Sequence, residues 1–158
     1  MALLFFVDPA SKISSSGWRL IPSANSGRRI CSAKADRLLA ELQKVLEAEF
    51  GGDALRRFIP YVQIYEFEGL LFSDPQRFAS GIDQPQLAAE FSAIPDDFST
   101  PEEINDSPMT APSKQIEKLF RRYEKPLHGS LAAMEIGLST IRAECPIFDE
   151  WLRRLEGL

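Results

Sequence analysis

The chain opens with an uninterrupted apolar run, Ala2-Leu3-Leu4-Phe5-Phe6-Val7, that stops at Asp8-Pro9. A strand with one face in water alternates apolar and polar residues, so a run without alternation must be covered on both sides. Such a strand belongs inside a parallel sheet flanked by helices, and the run therefore predicts an α/β protein. It is too short to cross a membrane, has no basic segment before it and ends at a carboxylate and a proline, so it reads as neither signal peptide nor anchor.

A second strand is expected within Phe58-Ile59-Pro60-Tyr61-Val62-Gln63-Ile64-Tyr65, where aromatic and β-branched residues dominate. It should become regular after Pro60, which cannot donate to a ladder. Between the two strands, residues 9–32 hold seven serines, two glycines and no sustained period, and are expected to form an irregular loop. Residues 33–50 carry Leu38, Leu39, Leu42, Val45, Leu46 and Phe50 at three- and four-residue spacings, which predicts an amphipathic helix ended by Gly51-Gly52. Ser73-Asp74-Pro75 reads as a cap with proline at the first helical position. Short helices are expected over 84–93, 112–122 and 128–158, with Pro126 and Pro146 marking breaks, so that residues 100–158 form a helical C-terminal part.

At 158 residues with 44% apolar content and eleven phenylalanines, the chain has the length and bulk for one domain, 1–158. The net charge of −5 excludes a generally basic, nucleic-acid-coating surface. Two cysteines, Cys31 and Cys145, form no CxxC or Cys/His cluster, and a reducing cytoplasm fits them best.

The residues that could carry chemistry are acids at strand ends. Asp8 follows the first strand; Glu66 and Glu68 follow the second. Strand ends of a parallel sheet gather in one crevice, and a hard divalent cation such as Mg2+ wants several carboxylate oxygens in one place. The plainer alternative is that Asp8 caps a turn and that Glu66 and Glu68 sit in a helix's first turn, where acids suit the dipole. His128 is the single histidine, which excludes a two-histidine mechanism; a cap or surface role is the plainer reading for it. Motifs of the GxSxG, GxGxxG and GKS/T kind do not occur. In Thr110-Ala111-Pro112-Ser113-Lys114, Ser113 and Lys114 at a helix N-terminus could contact phosphate, the alternative again being a plain helix start.

Arg57-Phe58-Ile59-Pro60-Tyr61-Val62-Gln63, followed by Tyr65-Glu66-Phe67-Glu68-Gly69-Leu70-Leu71-Phe72-Ser73-Asp74-Pro75, strongly resembles a bacterial family labelled domain of unknown function 4276. Pro101-Glu102-Glu103-Ile104-Asn105-Asp106, Thr110 to Lys114, Ile136-Gly137-Leu138, and Cys145-Pro146-Ile147-Phe148-Asp149-Glu150-Trp151-Leu152 look like its later blocks, in order. The resemblance implies a Toprim-like fold: a small parallel sheet of two or more strands, flanked by helices. It also implies Mg2+, or Mn2+, bound by Asp8, Glu66 and Glu68 as metal ligands and catalytic residues for chemistry on nucleic-acid phosphates. Family members are often encoded beside an ATPase and linked to defence against phage. The family's usual beginning, a strand ending in Glu-Gly, is absent, so the resemblance implies an N-terminally shortened member with impaired nuclease activity. The alternative is a non-catalytic subunit that docks on an ATPase or self-associates through an unpaired sheet edge.

Overall fold

The computed structural model describes residues 4–6, 26–52, 59–63, 65–104 and 111–157. Strand β1 (Leu4–Phe6) runs parallel to β2 (Tyr61–Gln63), with Leu4 opposite Tyr61 and Phe6 opposite Gln63. A parallel pair needs a long crossover, and helix α1 (Ser26–Phe50) lies within it. Among the described residues the sheet is this parallel pair alone, the minimum of the two or more strands expected, and helix predominates.

α1 begins at Ser26, so residues 26–32 are helical where an irregular loop is expected. No proline follows Pro22 before the helix ends, and an established helix adds one hydrogen bond per residue, which outweighs weak local preferences. Its apolar face is only partly used. Ala35 and Val62 are both buried, with Leu38 and Leu39 packed beside them, while Val45 and Phe50 are exposed. At 1.5 Å per residue the helix is roughly 37 Å long against strands of roughly 10 Å, so its last turns outrun the sheet.

The main core is helical, as the C-terminal half of the sequence predicts. After β2 come α2 (Glu68–Leu71), α3 (Pro75–Gly81) and α4 (Ala88–Ser92). Asp74 Oδ1 accepts the Arg77 amide hydrogen at 2.9 Å, the cap that Ser73-Asp74-Pro75 predicts. The rings of Phe78 and Phe91 stack at 4.6 Å, and Phe72 meets both edge-on.

α5 (Pro112–Leu119), α6 (Lys125–Ile136), α7 (Leu138–Glu144) and α8 (Pro146–Glu156) complete the chain. α5 stops three residues before the expected end at 122. Pro126 lies in the first turn of α6 rather than before it, where its missing N–H removes no helical bond. The break after α6 is made by Gly137, at φ +83°, a conformation that glycine adopts without strain. Leu127, Leu131 and Met134 on α6, and Leu138 at the start of α7, are exposed. Among the described residues, no helix is long and apolar enough to cross a membrane.

Candidate functional site

Glu66 lies just past the C-terminal end of β2, and Glu68 is the first residue of α2. Gln63 helps shape the turn between strand and helix by donating its Nε2 hydrogen to the Glu66 carbonyl at 3.4 Å. Glu68 is buried; Glu66 is half-buried.

Both carboxylates converge on one atom. Lys125 Nζ, on the first residue of α6, is 3.2 Å from Glu66 Oε1 and 3.4 Å from Glu68 Oε1. The other oxygen of Glu66 accepts the Ser113 amide hydrogen at 2.8 Å. The N-terminus of α5 therefore receives an anion, as its amides and dipole favour, and that anion is Glu66. Lys114, the other residue of the expected phosphate contact, points elsewhere and pairs with Glu117 at 2.7 Å.

Tyr123, in the connection between α5 and α6, lies in the field of both carboxylates. It is 9% exposed, and its hydroxyl has no hydrogen-bond partner among the described residues. Gly129 makes room for it: a Cβ at that position would lie 3.3 Å from the hydroxyl oxygen and 3.5 Å from the Phe67 ring.

The electrostatics follow from this arrangement. Burial alone would raise the Glu66 carboxyl, but the bonds from Ser113 and Lys125 together outweigh it and hold the group below its ordinary value. Burial alone would lower Lys125, yet the Glu68 and Glu66 carboxylates keep it above its ordinary value. Burial, reinforced by Glu68 and Glu66, pushes the Tyr123 phenol upward, so it remains a neutral donor. The site thus holds two acids against one base, with a hydroxyl in their field that has no partner among the described residues.

Of the sequence-derived candidates, Glu66, Glu68 and Ser113 come together and Lys114 does not. Asp8 lies outside the described residues. Among those residues no group of three or more His, Cys, Asp or Glu is placed to hold a metal ion. His128 serves as a cap: its Nδ1 accepts the Glu124 amide hydrogen at 2.8 Å while its ring packs against Phe120 and Tyr123. Lys125 and Tyr123 are the members that sequence reasoning misses. The one hint is Lys125 at the first position of a helix, where a lysine opposes the dipole and needs a nearby acid to justify it.

A second buried acid serves the scaffold. Glu102, in the turn Pro101–Glu103, accepts the amide hydrogens of Ile147 and Phe148 at the start of α8, at 3.0 and 2.9 Å. Two of the sequence blocks that prompt the family resemblance are thereby tied to each other. No curated protein and no solved structure matches the chain. The model of one family, described as Domain of unknown function (DUF4276), matches residues 20–156, and the chain belongs to that family.

Proposed function

We propose that the chain is a Toprim-like protein of a bacterial defence or mobile-element module, acting in the cytoplasm on nucleic-acid phosphodiesters with Mg2+ or Mn2+. The observation that supports this above others is the approach of two carboxylates to one cationic atom, Lys125 Nζ, at 3.2 and 3.4 Å. This convergence lies beyond the C-terminal end of a strand in a parallel pair, where ligand sites of α/β proteins gather.

The donor set fits the ion. Mg2+ is commonly held by one or two carboxylates, with water and phosphate oxygens completing its shell, and Glu66 and Glu68 supply hard oxygens of that kind. The hydroxyl of Tyr123, without a hydrogen-bond partner among the described residues, adds a buried polar group near them. When bound, a divalent ion polarises a phosphoryl oxygen and makes water a stronger acid. Ser113 fixes the orientation of Glu66 and keeps it ionised, which a metal ligand requires. Burial of Glu68 limits its rotamers, so little freedom is lost when it takes up a ligand. Asp8 completes the proposed acidic set, and a partner ATPase is the expected neighbour.

Incubation of the purified chain with Mg2+ or Mn2+ and plasmid or single-stranded DNA tests the proposal. Glu66→Gln keeps the shape and removes the charge, and is expected to reduce cleavage by at least about 100-fold. Absence of both cleavage and calorimetric metal binding in the unaltered chain would remove the proposal.

A further inference from the structure

We infer that Lys125 is a tethered competitor for the cation site: its ammonium sits between Glu66 and Glu68, and a divalent ion binds there only as the lysine leaves. This rests on the metal reading of the two glutamates. It adds that the chain sets its own metal affinity through a residue of α6.

The two sides of the ion pair differ in freedom. The Glu68 side chain is 4% exposed, and Glu66 is anchored by the Ser113 amide at 2.8 Å, so both acids stay in place when their partner goes. The Lys125 side chain is 49% exposed, and rotation about its own flexible stem takes the ammonium into water without moving the helix. Departure of the lysine would leave two adjacent carboxylates without a counter-charge, an arrangement that like-charge repulsion disfavours strongly. A divalent ion removes that penalty and a monovalent ammonium removes only part of it.

The buried Tyr123 hydroxyl points to the same exchange. It lies in the field of Glu68 and Glu66 and has no hydrogen-bond partner among the described residues. A buried hydroxyl without a partner is costly, and an ion with its bound water would give this one a partner. Because the competent state is the one with Lys125 displaced, the observed affinity is the intrinsic affinity reduced by the fraction of chains in that state.

Calorimetry of Mn2+ binding to the full chain tests the inference with Lys125→Met, Lys125→Arg and Glu66→Gln. The methionine keeps the apolar stem and loses the charge, and should bind Mn2+ at least about tenfold more tightly than the unaltered chain. Arginine, still charged, should bind no more tightly than lysine does. A second readout needs no variant: amine acylation followed by mass spectrometry should label Lys125 faster when Mn2+ is saturating, with Lys114 and Lys118 unchanged. If Lys125→Met leaves the affinity unaltered and acylation is indifferent to Mn2+, while Glu66→Gln weakens binding, the competitor role is overturned and the metal reading stands. If neither the unaltered chain nor Lys125→Met binds Mn2+, both are overturned.

Discussion

Glu102 and Glu66 are two acids bonded to helix N-termini, and their protonation behaviour differs because their surroundings differ. Glu66 has a lysine within reach and stays ionised. Glu102 is 4% exposed; burial pushes its carboxyl up to about 7, against the pull of the Ile147 and Phe148 amides. The unfolded carboxyl ionises near 4.5. Between these values the unfolded chain releases a proton that the folded chain keeps, so folding is favoured most at the acid end. The contribution of Glu102 is complete below about pH 4.5 and is lost as pH rises through about 7, a change of roughly 3 kcal/mol. Glu102→Gln cannot titrate, and its urea-denaturation free energy should decline less than that of the parent between pH 4.5 and 7.5. Parallel curves for the two proteins would count against this assignment. Cys145 offers a simpler check. Its thiol is fully buried against Ser73, with 3.3 Å between sulfur and hydroxyl oxygen, and burial pushes it up to about 12. Iodoacetamide at pH 8 should leave Cys145 unmodified in the native chain and alkylate it in guanidinium, as read by peptide mass spectrometry.

Helices were legible in the sequence wherever their signal was local. Asp74 caps α3 because a side chain and an amide three residues on are always neighbours at a helix start, whatever the rest of the chain does. The end of α1 at Gly51, with φ +76°, follows from the same kind of short-range chemistry. The candidate site was half legible for the converse reason. Glu66 and Glu68 stand two positions apart at a strand end, and that spacing can be read directly. Lys125 joins them from 59 residues beyond Glu66, a contact that no window of sequence contains. Gly81 illustrates the same limit on α3. In isolation, glycine inside a helix costs up to about 1 kcal/mol relative to alanine. Here a Cβ at position 81 would lie 2.9 Å from Ala132 Cα and 3.1 Å from the Leu131 carbonyl oxygen, both backbone atoms of α6. Gly81→Ala must therefore push α3 away from α6, and should lower stability by about 1–3 kcal/mol in chemical denaturation despite its better helix propensity. A gain in stability would mean that the two helices separate without cost.

The molecule as a whole has two apolar centres of unequal size. The larger is built from α2, α3, α4, α5, α6 and α7 around residues such as Phe72, Phe78, Phe91, Ile116 and Ile136. The smaller joins α1 to β2 through Ala35 and Val62, with Ile147 of α8 packed against it. Their connection is largely aromatic: Tyr61 on β2 stacks on Trp151 of α8 at 5.0 Å and meets Phe148 edge-on at 5.7 Å, and Trp151 Nε1 donates to the Ile59 carbonyl at 3.3 Å. Phe148 in turn packs against the larger centre, and the start of α8 is fixed by Glu102. The strand that leads to Glu66 is thus braced by α8, while Lys125 and Ser113 approach from helices seated on the larger centre. Weakening the brace should loosen the strand side of the site and leave the helical side in place. Trp151→Ala removes the stack and the hydrogen bond, at a cost of about 2 kcal/mol. Amide hydrogen exchange should then accelerate in β2 and α1 far more than in α3 and α6, because opening of the smaller centre does not require opening of the larger. Equal acceleration in all four elements would mean that the two centres unfold as one unit, and that strand and helices hold the glutamates and the lysine together cooperatively.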